Sequence, residues 1–122
     1  MKPIYYHDNE IGNFYYGPGH PMKPHRIRMT HSLIHSYGLD KHLRIISNAQ
    51  RLVDEEEHFT KFHTDDYVEF LRTVTPENIN EHIDNIYGFN FGDDCPVFEG
   101  LWDFCKKSTA GSILGATYLN EN

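Results

Sequence analysis

Cysteine is scarce: Cys95 and Cys105 are the two in a chain of 122 residues. That is too few for a disulfide framework to carry the fold, and a reducing intracellular compartment is the expectation that follows. No apolar run approaches the roughly 20 residues a membrane-crossing helix requires. The opening Met1-Lys2-Pro3-Ile4-Tyr5-Tyr6 also lacks the apolar stretch of a secretory signal. Positive charge is in deficit, with 11 Lys and Arg against 18 Asp and Glu for a net charge of −7. This disfavours direct nucleic-acid binding, whose affinity comes largely from Lys and Arg neutralising phosphates, and suits a basic protein partner better. There is no internal repeat, low-complexity tract or linker. No two histidines are adjacent, and Asp-x-His occurs once, at Asp40-Lys41-His42.

What is present is globular: 39% hydrophobic and 14% aromatic residues, in a length that suits one domain burying roughly two-thirds of its unfolded surface. The densest information lies in Tyr16-Gly-Pro-Gly-His-Pro-Met-Lys-Pro-His-Arg-Ile-Arg-Met-Thr-His31. Pro18, Pro21 and Pro24 each fix φ, while Gly17 and Gly19 permit conformations that other residues avoid. The loop can therefore hold His20, Lys23, His25 and Arg26 in defined directions.

Around that loop the pattern reads as strands interleaved with helices. Pro3 to Tyr6 is a short apolar, aromatic strand, and the loop runs from about Gly12 to His25. A helix follows, with Pro24 in its first turn, Ile27, Leu33, Ile34 and Tyr37 at near-helical spacing, and Gly38 as a stop. Leu43 to Ile46 reads as a second strand. Asp54 to Glu57 places acid at a helix start, Thr64 can cap a helix that buries Tyr67, Val68, Phe70 and Leu71, and Thr75-Pro76-Glu77 repeats a cap followed by proline. Residues 88 to 98 are irregular. Glu99 to about Leu119 reads as a long helix with Leu101, Phe104, Cys105, Ile113 and Leu114 inward, and Cys95 and Cys105 read as small core residues. The class is α/β, a parallel sheet with flanking helices. Two strands are fewer than such a sheet needs, so the sheet is expected to be incomplete.

Phe91-Gly-Asp-Asp-Cys-Pro-Val-Phe-Glu-Gly100 with Leu101-Trp-Asp-Phe-Cys105, taken with the 16–31 block, resembles the class I histone deacetylases. Tyr5-Tyr-His-Asp8 with Ile11-Gly-Asn-Phe14, Phe62-His-Thr-Asp-Asp-Tyr-Val-Glu-Phe-Leu71 and Ser108-Thr-Ala-Gly-Ser112 are similar to that family in order and spacing. The resemblance covers essentially residues 1–122 and implies the N-terminal portion of the arginase/deacetylase-like fold. In that family a bound zinc and a histidine pair activate water to remove acetyl groups from lysine. The resemblance further implies histone tails as substrates, corepressor subunits as partners, and a nuclear, and also a cytoplasmic, location.

Residue by residue, it makes Asp94 a rim carboxylate that accepts backbone N–H bonds from an acetyl-lysine peptide, with Pro21 beside it. The plainer reading of Asp93-Asp94 is a loop turn before Pro96. Arg26 falls at the base of an internal pocket lined by Tyr16, Met22 and Phe104; the plainer reading is a surface arginine in a first helical turn. Gly19, Lys23 and Tyr15 fall where class I members bind an inositol phosphate, although some relatives carry histidine in place of Tyr15. The family's zinc and water-activating motifs are not matched. Asp40-Lys41-His42 follows a helix end and precedes a strand, whereas the family's ligand motif follows a buried aliphatic strand.

The expected function is therefore the rim and internal-pocket part of a deacetylase domain, inactive as an isolated chain. Two origins remain open: an incomplete piece of a longer enzyme, or a truncated non-catalytic module for corepressor or inositol-phosphate binding. A third reading is an unrelated small acidic metal-binding adaptor holding zinc through His20, His25, His31 and His35. Ser32, standing where a zinc-protease helix carries Glu, removes the hydrolytic version of that reading.

Overall fold

Two four-residue strands start the architecture, and each is displaced by one residue from its sequence expectation for a hydrogen-bonding reason. The computed structural model describes residues 1–53 and 56–122. Strand β1 is Ile4–His7 and β2 is Arg44–Ser47, paired in parallel with Ile4 opposite Arg44 and His7 opposite Ser47. Pro3 has no N–H, but its carbonyl accepts from the Arg44 amide at 2.9 Å, so it borders the strand without joining it. The Leu43 amide is spent on Asp40 O in a turn, which delays β2 to Arg44. At the far end the His7 carbonyl accepts from the Asn48 amide at 2.8 Å.

Helix α1, His25–Ser36, crosses between the strands. Pro24 stands at its N-cap with φ −55°, already helical, and the Gly38 φ of +68° ends the region beyond it. The expected apolar face is half right. Ile27, His31 and Ile34 share one half-buried stripe at i, i+4, i+7, but Leu33 and Tyr37 are 51% and 74% exposed, and α1 has no buried residue. The helix carries two apolar stripes, and one side of the sheet can cover one of them.

Strand alternation places the sheet between two helices. Tyr5 and His7 face α1, where their rings meet His31. Tyr6 faces α5, Leu101–Glu121, donating its hydroxyl to Leu114 O at 3.3 Å. At this crossing a Cβ added to Gly111 would meet the Tyr6 Cβ at an ordinary 3.8 Å.

The main core lies beside the sheet. Helices α2 (Glu57–Thr60), α3 (Asp65–Thr73) and α4 (Ile83–Gly88) come between β2 and α5. Phe70, Leu71, Val74, Phe98 and Leu101 form a buried cluster wrapped by Phe14, Tyr16, Tyr67, Phe89, Phe91 and Trp102. Its rings meet at tilted and edge-on angles, Phe70 to Phe89 at 5.3 Å and Phe70 to Phe91 at 5.1 Å, the geometry that aromatic quadrupoles favour. Burying each such side chain contributes about 1.5–3 kcal/mol.

Local signals were used in ways the sequence did not specify. Thr64 occupies the N-cap of α3, but its hydroxyl makes no capping bond to the backbone; it holds the neighbouring Asp66 carboxyl below its ordinary value instead. Thr75 and Asn78 exchange side-chain-to-amide bonds of 3.3 and 2.7 Å, a reciprocal box that opens a turn, with α4 delayed to Ile83. Glu57 opens α2, while Asp54 and Glu55 lie outside the described residues. Cys95 is exposed, not a core residue, because it sits on a loop tip; Cys105 packs against the cluster, and burial pushes its thiol up to about 11.

Helix α5 begins at Leu101, two residues later than the sequence suggests, since Gly100 takes φ +80° at its N-cap. A Cβ there would stand 2.8 Å from Phe14 Cε1. Gly100→Ala is expected to cost at least about 1–2 kcal/mol for the left-handed backbone alone, read as loss of helical circular dichroism at lower urea than the native sequence at the same dilute concentration.

Candidate functional site

The Gly/Pro loop and the 92–96 loop, far apart in sequence, meet as the two walls of an open cleft of about 600 Å³ lined by Tyr16 to Pro21, Gly92 to Asp94 and Pro96. Gly17 and Gly19 take φ of +127° and +73°, so the loop turns sharply on both sides of Pro18. His20 then clasps the walls together. Its Nδ1 accepts from the Met22 amide at 3.0 Å, which leaves the proton on Nε2, and Nε2–H donates to Asp94 O at 2.9 Å. The opposite wall is braced by the Gly92 amide donating to Cys95 O at 3.1 Å and by Phe89 and Phe91 anchored on Phe70.

The clasp uses the backbone of Asp94, so its carboxylate stays exposed at the cleft mouth with Pro21 across from it. Tyr16 backs the cleft, its ring 5.0 Å from His20, 4.6 Å from Phe98 and 5.8 Å from Phe104. Burial first, then the neighbouring Cys105 and Cys95, raise the Tyr16 phenol above its ordinary value, so it stays protonated.

Behind this wall lies a second, mostly apolar cavity of about 250 Å³ between α1, the sheet and α5. Met22 and Phe104 line it, together with Tyr6, Ile27, Ile46 and Lys107. Tyr16 stands in the cleft wall instead, in ring contact with Phe104. Arg26 is exposed, its guanidinium 3.4 Å from the Met22 sulfur. Arg26 thus stands on the solvent side of the first turn of α1 and lines neither space. Tyr15 and Lys23 are exposed on the same loop as Gly19, where a Cβ would meet nothing within 4 Å.

One cluster escaped sequence reasoning. Lys107 reaches Glu10 at 3.3 Å, Asp8 at 3.5 Å and Asp103 at 3.8 Å, and donates to Gln50 Oε1 at 3.0 Å, with the Lys107 and Asp8 side chains each 11% exposed. Burial works to lower its pKa, but the Glu10 hydrogen bond and the fields of Asp8, Asp103 and Glu10 outweigh it, so the ammonium is held charged above its ordinary value. This pins the end of β1 to α5 at one wall of the inner cavity. Only the i,i+4 spacing of Asp103 and Lys107 was visible in one dimension; Asp8 lies about a hundred positions away.

The four histidines of the adaptor reading separate: His20 closes the cleft, His25 is exposed at the start of α1, and His31 stacks on His7 with His35 edge-on to it. Among the described residues no group of three His, Cys, Asp or Glu side chains converges as metal ligands would. Asp40 pairs with His35 at 3.2 Å, which engages it in the fold.

A family model described as the histone deacetylase domain matches residues 20–122. The chain belongs to the histone deacetylase family. Histone deacetylase 1 of Homo sapiens is 49% identical over 120 residues, covering 98% of this chain and 24% of the relative. A histone deacetylase of Drosophila melanogaster is 51% identical over 120 residues (98% and 22%), and histone deacetylase 19 of Arabidopsis thaliana is 48% identical over 119 residues (98% and 23%). The chain thus spans about a quarter of the length of these curated relatives. It resembles the class I members, and its two-stranded parallel sheet with flanking helices is an incomplete α/β fold. The family implies zinc, but among the described residues no set of side chains fits it.

Proposed function

We propose that this histone deacetylase segment supplies the substrate rim and part of the internal-pocket wall of a deacetylase acting on acetyl-lysine in histone tails, in nuclear corepressor assemblies. The observation that carries the reading is the meeting of the two loops that bear the family motifs. It leaves the Asp94 carboxylate exposed at the mouth of a cleft whose walls are clasped by His20. A carboxylate so placed can accept two peptide N–H groups by charge-assisted bonds and fix the register of an extended tail. Met22 and Phe104 would contribute to the inner wall, with Tyr16 between the two spaces and Arg26, beside Met22, at its outer edge. The exposed Gly19, Lys23 and Tyr15 supply backbone N–H, a point charge and a ring edge to an inositol phosphate at a corepressor interface.

The test is a chimera in which residues 1–122 replace the matching segment of human histone deacetylase 1. An active chimera is expected, in which Asp94→Ala lowers kcat/KM on an acetyl-lysine peptide roughly 10²-fold through lost register, with zinc content unchanged. Unimpaired turnover in the variant, or equal loss of zinc, would show that Asp94 has another role.

A further inference from the structure

Three histidine rings from two elements meet where β1 packs on α1, two of them stacked and the third edge-on. The rings of His7 and His31 lie face to face, with centroids 3.5 Å apart and planes 8° from parallel. Tyr5 continues the stack on the strand side and approaches His31 Nδ1 through its hydroxyl at 3.3 Å. His35, one turn along α1, meets His31 edge-on at 4.7 Å and holds Asp40 of the following turn at 3.2 Å through Nδ1. From this geometry we infer that the His7–His31–His35 stack is a proton-sensitive latch fastening α1 to β1: closed when the stacked imidazoles are neutral, open when both carry a proton.

Two neutral imidazoles at this separation attract as aromatic faces do. Two imidazolium rings in the same place put like charges in contact within a partly buried site. The groups facing the stack do not remove the conflict. Asp40 pairs with His35 and serves that ring. Asp8, next to His7, favours the charged form of His7 but shares its carboxylate with Lys107. Tyr5 is a neutral phenol, held so by burial. The directions agree with the geometry: His7 is lowered by burial first, then by His31 and His35, against Asp8, and His31 is lowered by burial and then by His35. The unfolded chain therefore takes up protons before the folded one does. Stability conferred by the latch is complete above the ordinary imidazole value of 6.5 and is lost as pH falls below it towards the folded values. Because α1 starts directly after the Gly/Pro loop, an open latch also frees the support of the cleft wall that His20 clasps.

The experiment is an NMR titration of the histidine ring signals of the whole chain in dilute solution, from about pH 8 to about pH 4.5, with a free histidine peptide as reference. His7 and His31 are expected to titrate below the reference, and their ring-to-ring contacts to vanish as they do. In His31→Phe the His7 midpoint should move up, and in His35→Gln both remaining midpoints should. His7→Phe should keep its contact with His31 at the acid end. Reference-like midpoints for both rings would overturn the latch, as they would in a chain too loosely packed to form the stack. So would a ring contact that persists unchanged at low pH in the native sequence.

Discussion

The 122-residue chain, purified and supplied with zinc, is expected to release no acetate from an acetyl-lysine peptide above a no-enzyme control, and to retain no stoichiometric zinc after dialysis. A hydrolytic zinc site needs three protein ligands around an open position, and the rate enhancement at stake is the lowered pKa of metal-bound water together with polarisation of the carbonyl. The sequence has no adjacent histidine pair, and its described side chains converge on no such site. The i, i+4 pair His31 and His35 is otherwise engaged, His31 by the His7 ring and His35 by Asp40. Chelator-sensitive deacetylation by this chain alone would overturn the expectation.

The second large effect concerns stability. The chain by itself is expected to melt over a broad range at low temperature and to associate as its concentration rises. The described sheet has two strands, each with an outer edge unpaired by the other, and parallel sheets are ordinarily covered on both faces and flanked by further strands. Several large apolar side chains stand in water, with Phe62 at 89% and Tyr87 at 76% exposed and the Met29–Leu33–Tyr37 stripe of α1 open along its length. The aromatic cluster around Phe70 should retain helix. Circular dichroism melts with light scattering would therefore show helical signal, weak cooperativity and particle sizes that grow with concentration. A monodisperse monomer with a sharp transition would indicate a self-sufficient module and count against the proposed role as part of a larger domain.

The local elements were largely legible in one dimension because their determinants are local. Pro24 and Gly38 bracket α1, the apolar residues of α3 fall on the face that buries them, and those expected to face inward on α5 are buried at Leu101 and half-buried from Phe104 to Leu114. Displacements arose where backbone hydrogen bonding decided. Pro3 lost its place in β1 because it has no N–H to give the ladder, and Leu43 its place in β2 because its amide was already engaged by Asp40 O. The exposure of Leu33 and Tyr37 could not be read from periodicity, since a helix with two apolar stripes does not announce which one its sheet will cover. Nor could the outward position of Arg26, which depends on what packs beside the first turn of α1.

The sequence by itself determined the family, the α/β class and the two loop motifs, because glycine, proline and capping residues act within a few positions of themselves. Tertiary structure alone decided that those loops share one cleft through His20 and the Asp94 backbone, that Lys107 gathers Asp8, Glu10 and Asp103, and that His7 lies on His31. The physical reason is common to all three. Each is a contact at van der Waals or hydrogen-bond range between elements separated by a crossover, and the crossover geometry, not the identity of either partner, brings the atoms within reach.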